Sequence, residues 1–152
     1  MGRTARGVIG VKLEGDDEVV SIEVVDPEST MMAITENGYG KRTSFDEYRC
    51  QSRGGKGIIS IQTTERNGKV VSAHAVHDDH RIMLISQNGQ MICIGASDLR
   101  VIGRNTQGVR LVNLNEGDKL VSAAVLESEE EIEQEVQAVE EAVETTEETA
   151  EE

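Results

Sequence analysis

Ser52-Arg53-Gly54-Gly55-Lys56-Gly57-Ile58 is one of three copies of a single pattern. Upstream the chain reads Gly2-Arg3-Thr4-Ala5-Arg6-Gly7-Val8, and downstream Gly103-Arg104-Asn105-Thr106-Gln107-Gly108-Val109. Each copy is x-Arg-x-x-(Arg/Lys/Gln)-Gly-aliphatic, with its last glycine at 7, 57 or 108. About a dozen residues after each copy comes a polar turn and an apolar pair: Val19-Val20-Ser21, Val70-Val71-Ser72 and Leu120-Val121-Ser122. A third element occurs twice, as Met32-Ala33-Ile34-Thr35-Glu36-Asn37-Gly38 and Met83-Leu84-Ile85-Ser86-Gln87-Asn88-Gly89. Every offset is 50 or 51 residues, so three separate elements share one period.

The repeat reads as β structure. Short apolar runs rich in Val and Ile cover 8–13, 19–25, 31–35, 58–63, 70–76, 82–86, 91–94, 109–114 and 120–126, with turn residues between them. Asn37-Gly38, Asn67-Gly68 and Asn88-Gly89 are predicted as two-residue hairpin turns of type I′. A unit of about four strands and about 50 residues has the size of a propeller blade. One blade cannot bury both faces and needs neighbours. Residues 1–126 hold about two and a half such units, against the roughly 4–8 of a closed propeller. The expectation is therefore an all-β, incomplete propeller belonging to a longer protein. Met1 would then be an internal methionine, and one blade face at the N-terminal end would lack a partner.

Charge divides the 152-residue chain. The formal net charge is −14, but residues 127–152 carry 13 Glu and no base. Residues 1–126 carry 16 acids against 15 bases and are nearly neutral. No apolar run reaches the roughly 18–20 residues of a membrane span, and no signal-peptide core follows Met1. No membrane partner is expected. Cys50 and Cys93 have neither disulfide-framework nor metal-ligand spacing, which suits a reduced, cytoplasmic protein. With only Tyr39, Phe45 and Tyr48 as aromatics, base stacking is not a plausible binding mode.

The glycine-rich turn has a chemistry of its own. Gly54, Gly55 and Gly57 leave little side chain on the loop, so backbone N–H groups can approach a phosphate. Arg53 and Lys56 add charge beside it. Rotation of the repeat about an axis sets Arg3/Arg6, Arg53/Lys56 and Arg104 at corresponding points, a row that can follow a curved duplex. Lys41, Arg42, Arg66 and Lys69 complete the set of rim candidates. Such contacts fix position and carry little base information, so specificity would come from the energy of bending. Lys12, Arg49, Arg81, Arg100, Arg110 and Lys119 read as solvated charges.

Gln51-Ser52-Arg53-Gly54-Gly55-Lys56-Gly57 resembles the Q-R-R-G-G-K-G box of the bacterial DNA gyrase A family, with Ser52 in place of the first Arg. Residues 1–8, Glu36-Asn37-Gly38-Tyr39-Gly40-Lys41-Arg42-Thr43, Thr64-Glu65-Arg66-Asn67-Gly68 and 103–109 resemble the last blades of that family's C-terminal domain. The resemblance implies a six-bladed β-pinwheel with strands exchanged between blades. It implies binding and wrapping of double-stranded DNA in support of ATP-dependent negative supercoiling. Partners would be the gyrase B subunit and the rest of the A-subunit dimer. ATP and Mg would be used elsewhere in the holoenzyme, with no cofactor bound by this chain. The family's best-matched box lies in its first blade, so the turn at 51–57 would be a degenerate copy. The homologous subunit of topoisomerase IV is an alternative, and a propeller-type protein-interaction module with an acidic tail is another.

No catalytic constellation stands out. Gly55-Lys56 lacks the first Gly and the Ser/Thr of a P-loop. Gly38-Tyr39-Gly40 lacks the third Gly of a dinucleotide fingerprint. His74, His77 and His80 could be a metal set, or one strand histidine followed by two in a loop; the loop reading is preferred and no metal is expected. In residues 127–152, Ile132, Val136, Val139 and Val143 form a narrow helical stripe in a Glu-rich segment. A marginal helix or a disordered tail is expected. Fully helical, it would span about 39 Å with one charge per roughly 3 Å, about half the line density of duplex DNA. It would then either compete with DNA for the basic rim or simply aid solubility.

Overall fold

The computed structural model describes residues 3–127. The expectations for the acidic tail lie outside the described residues. Strands β1 (Thr30–Thr35), β2 (Tyr39–Ser44), β3 (Val70–Val76), β4 (Arg81–Ser86), β5 (Met91–Gly95), β6 (Val109–Arg110) and β7 (Leu120–Leu126) make two sheets. The first has the order β3-β1-β2-β6 and the second β5-β4-β7. All named pairings are antiparallel.

The period seen in the sequence is the period of the structure. Thr30↔Val76 pairing in β1–β3 is matched by Arg81↔Leu126 in β4–β7. Both ladders shift register at the same place, Ile34/Thr35 and Ile85/Ser86. A short 3-10 turn follows the second strand of each hairpin, at Phe45–Glu47 and Ala96–Asp98. Strands are exchanged between repeats: the first sheet takes β1 and β2 from the first repeat, β3 from the second and β6 from the third. Met32 and Ile34 of the first sheet and Ile82, Leu84, Leu120 and Ala123 of the second share one buried cluster. Each large aliphatic side chain buried there stabilises by about 1.5–3 kcal/mol.

The turn chemistry differs from the expectation. Among the described residues no residue other than glycine has a positive φ. Gly38 N donates to Thr35 O at 3.1 Å, and Gly89 N to Ser86 O at 3.1 Å. Each hairpin therefore has a three-residue loop ending in a left-handed glycine, not a two-residue type I′ turn. Asn67-Gly68 is not a hairpin. Its Gly68 N reaches back to Thr64 O at 2.8 Å, and Asn67 is fully buried. The Asn67 amide donates to Gln62 O and Gln107 O and accepts from Thr64 N at 2.7 Å.

Three predicted strands, 8–13, 19–25 and 58–63, are not strands, and one strand, β2, lies outside the apolar runs. The reason is non-local pairing. A strand at 19–25 would stand where β3 and β7 stand in later repeats, and those lean on β1 and β4. The described residues hold no equivalent partner for 19–25, and Ile22 and Val24 are 92% and 87% exposed. This segment is tethered to β3 instead by Ser21 Oγ to Ala73 O and by the Glu23–His74 pair, and just beyond it Asp26 pairs with His77 in the loop after β3. Runs 8–13 and 58–63 correspond to β6, which needs the edge of β2. Conversely β2, Tyr39-Gly40-Lys41-Arg42-Thr43-Ser44, is polar in sequence but enclosed by β1 and β6, and its first five residues are buried.

Candidate nucleic-acid interface

The three glycine-rich turns share a backbone state. Gly7, Gly57 and Gly108 have φ of +86°, +80° and +77°. Side chains other than glycine are strained there. At Gly108 a Cβ would also lie 2.5 Å from the Gly40 carbonyl oxygen. Gly54 is left-handed too, at +75°.

Arg3, Arg6, Arg53 and Lys56 are exposed on the first two turns. The second turn is bonded to the segment that follows the first: Gly54 N donates to Gly10 O and Lys12 N to Gly55 O, both at 2.8 Å. The Gly54 N–H is thereby occupied, so this turn offers charge more than a free backbone cradle. A shallow depression lined by Gly10, Val11, Gln51, Ser52, Arg53, Gly55 and Gly57 lies beside it. Lys56 Nζ is ion-paired with Glu14 while both side chains remain largely exposed.

Lys41 and Arg42 are corrected from rim candidates to interior residues. Lys41 is 1% and Arg42 3% exposed. Lys41 Nζ donates to Gly103 O at 2.8 Å, to Arg104 O and to Thr106 Oγ1. Burial, with the nearby Arg104 charge, lowers its pKa to about 8. Arg42 donates to Thr30 Oγ1, Ala96 O and, at 2.6 Å, Asp78 Oδ1. Their donors are engaged inside the protein because β6 and the chain before it cover β2. Lys41 thereby holds the third basic turn, and just before that turn Ile102 N donates to Arg42 O at 2.8 Å. The Arg42 guanidinium instead ties β2 to β1, to the turn after β5 and to the loop after β3.

Arg104 is half-buried. Its NH1 donates to Ile59 O at 2.9 Å, and its guanidinium lies 5.9 Å from the Tyr48 ring centroid. Lys69 is exposed beside Glu36. The carboxyl of Glu36 titrates below its ordinary value because Lys119 Nζ and Lys69 N donate to it. Lys119 is therefore paired, not merely solvated.

Arg66 and Arg110 meet on Tyr39, a cluster the sequence pattern does not assemble. Arg110 has no local signal, since its partner stands 71 residues away. The hydroxyl of Tyr39 accepts from both guanidinium groups, and these hydrogen bonds lower its pKa. His74 lies on β3, and His77 and His80 follow in the loop, in keeping with the loop reading. Glu23 and Asp26 are the acids on His74 and His77. Among the described residues no helix is long and apolar enough to cross a membrane.

Comparison with known proteins places this arrangement. The family described as DNA gyrase C-terminal domain, beta-propeller, matches residues 1–26, 30–77 and 80–127. The DNA gyrase A protein of Salmonella typhimurium is 50% identical over 121 residues, covering 80% of this chain and 14% of that protein. The DNA gyrase A protein of Chlamydia pneumoniae is 49% identical over 131 residues, covering 86% of this chain and 16% of that protein. The chain thus spans about one-seventh of the curated relatives it matches. A solved DNA gyrase A C-terminal domain superposes with a TM-score of 0.74 at 30% identity, over 80% of this chain and 42% of that one. A topoisomerase IV C-terminal domain shares the fold, with a TM-score of 0.78 at 21% identity, over 90% of this chain and 43% of that one. The family match runs through all three repeats of exchanged strands and basic turns, and the chain belongs to the DNA gyrase C-terminal domain family of β-propellers.

Proposed function

We propose that this chain is a non-catalytic, DNA-binding and DNA-wrapping region of a DNA gyrase A protein. The observation that carries the reading is the basic turn repeated with one backbone state, Gly7, Gly57 and Gly108 all left-handed. Exposed Arg3, Arg6, Arg53 and Lys56 stand on it. A curved row of such turns neutralises successive phosphates of a bent duplex without reading bases. In the whole enzyme the wrap would support ATP-dependent negative supercoiling, with ATP and Mg handled elsewhere and the B subunit and the rest of the A dimer as partners. Its setting would be the bacterial cytoplasm. Gyrase is favoured over topoisomerase IV by identities of 49–50% to gyrase A proteins, against 21% to the topoisomerase IV structure.

A salt titration of binding to a duplex of about 40 base pairs tests this. Roughly six phosphate contacts give a log–log slope near −5. Absence of salt-dependent duplex binding by the folded 152-residue chain would overturn it and favour a protein-interaction module.

A further inference from the structure

Tyr39 opens β2, and its hydroxyl reaches a pocket of about 260 Å³. Arg66, from the turn before β3, donates from Nε to that hydroxyl at 3.3 Å. Arg110, from β6, donates to it from Nε at 3.2 Å and from NH2 at 2.7 Å. The two guanidinium carbons lie 4.8 and 5.3 Å from the ring centroid. Two exposed positive groups therefore converge on one neutral oxygen. The ring faces offset part of their repulsion, but like charges so close remain unfavourable.

Among the described residues neither arginine has an ion pair with a carboxylate. Asp118 lines the pocket, yet its oxygens are engaged elsewhere. Its Oδ2 accepts from Ser86 Oγ at 2.7 Å, and its Oδ1 accepts from Asn88 N and Lys119 N. Asn113 Oδ1 accepts from Arg110 NH1 at 3.0 Å and orients that guanidinium. What would balance the site is an anion with several acceptor atoms. A phosphate suits the planar forks of two arginines. Because the Tyr39 oxygen accepts from the arginines, its own hydrogen is left to donate.

We propose that Tyr39, Arg66 and Arg110 form a binding site for one phosphodiester of duplex DNA. The proposal rests on the DNA-binding reading above and joins to the rim candidate Arg66 two residues outside that set, Tyr39 and Arg110. The site is not part of the repeating row. At the corresponding places in the next repeat stand Gln90 and Glu116, so the next repeat does not carry the same cluster.

The test uses the full 152-residue chain and a labelled 40-base-pair duplex, with affinity measured against salt for R66Q, R110Q, the double variant and Y39F. Both arginines are exposed, so their variants should keep the fold, which circular dichroism checks. The double variant should lower the magnitude of the log–log slope by about one. Because one phosphate is shared, its loss of affinity should differ from the product of the single losses. Y39F should fall between. An unchanged slope in the double variant, with the parent chain binding duplex normally, overturns the site and leaves the DNA-binding reading intact. No duplex binding by the parent chain overturns the reading and this site together. In a second arm, inorganic phosphate is titrated while the arginine Nε–H resonances are followed. Shifts there with an unchanged duplex slope would assign the site to free phosphate and overturn the duplex as its ligand.

Discussion

The ammonium of Lys41 lies 2.8 Å from the carbonyl oxygen of Gly103 and so joins the middle of β2 to a basic turn from a later repeat. Arg104 O and Thr106 Oγ1 accept from the same nitrogen. Lys41→Met keeps much of the side-chain bulk but leaves these acceptors without their donor. The acceptors are only part-buried, so the loss is that of hydrogen bonds from a charged donor, worth about 1.5–3 kcal/mol, and the variant should lose about that much in urea unfolding. The turn that presents Arg104 should loosen first, read as faster amide exchange at 103–106.

Titration of Lys41 has a definite sign. Burial holds its folded pKa at about 8, below the ordinary 10.5. Between those values the unfolded chain binds more protons than the folded one. This group therefore makes stability rise as pH climbs from about 8 to 10.5, and contributes no slope below that window. Carbon NMR of the lysine side chains should show the Lys41 Cε titrating near 8. A Lys41 midpoint at 10.5 would contradict the burial.

Glycine positions separate into two kinds. Gly108 and Gly89 both have positive φ, +77° and +83°. A Cβ at Gly89 meets nothing within 4 Å, whereas at Gly108 it meets the Gly40 carbonyl oxygen at 2.5 Å. Gly89→Ala should cost about 1 kcal/mol, the backbone strain alone. Gly108→Ala should cost about 3 kcal/mol or more, because the β2–β6 contact must also open. Thermal unfolding of the two variants side by side checks the contrast.

The period, the glycine turns and every described strand except β2 are legible because they show in residues close in sequence. The places that are not legible depend on partners 50 to 70 residues away. Lys41 and Arg42 look like surface charges in a polar segment, and only the arrival of β6 beside β2 buries them. Arg110 looks solvated until the fold sets it on Tyr39. The runs at 8–13 and 19–25 have strand composition, yet the described residues offer them no ladder. Turn type escapes the sequence for a different reason. Asn-Gly marks a hairpin, but loop length is set by the register of the strands, and here a third residue is included.

Glu14 and Lys56 give the last prediction. Their exposed ion pair places an acid against the one lysine of the 53–57 turn. A duplex phosphate must displace that carboxylate before it can use the charge. Exposed pairs contribute about 0.2–1 kcal/mol, so Glu14→Gln should tighten duplex binding by at most about five-fold at low salt. The effect should fade at high salt, where such pairs are screened. Arg53→Gln combined with Lys56→Gln should act in the opposite direction and lower the slope by about one to two. If the 53–57 turn lay off the DNA path, both variants would leave affinity and slope unchanged, because neither alters a buried residue.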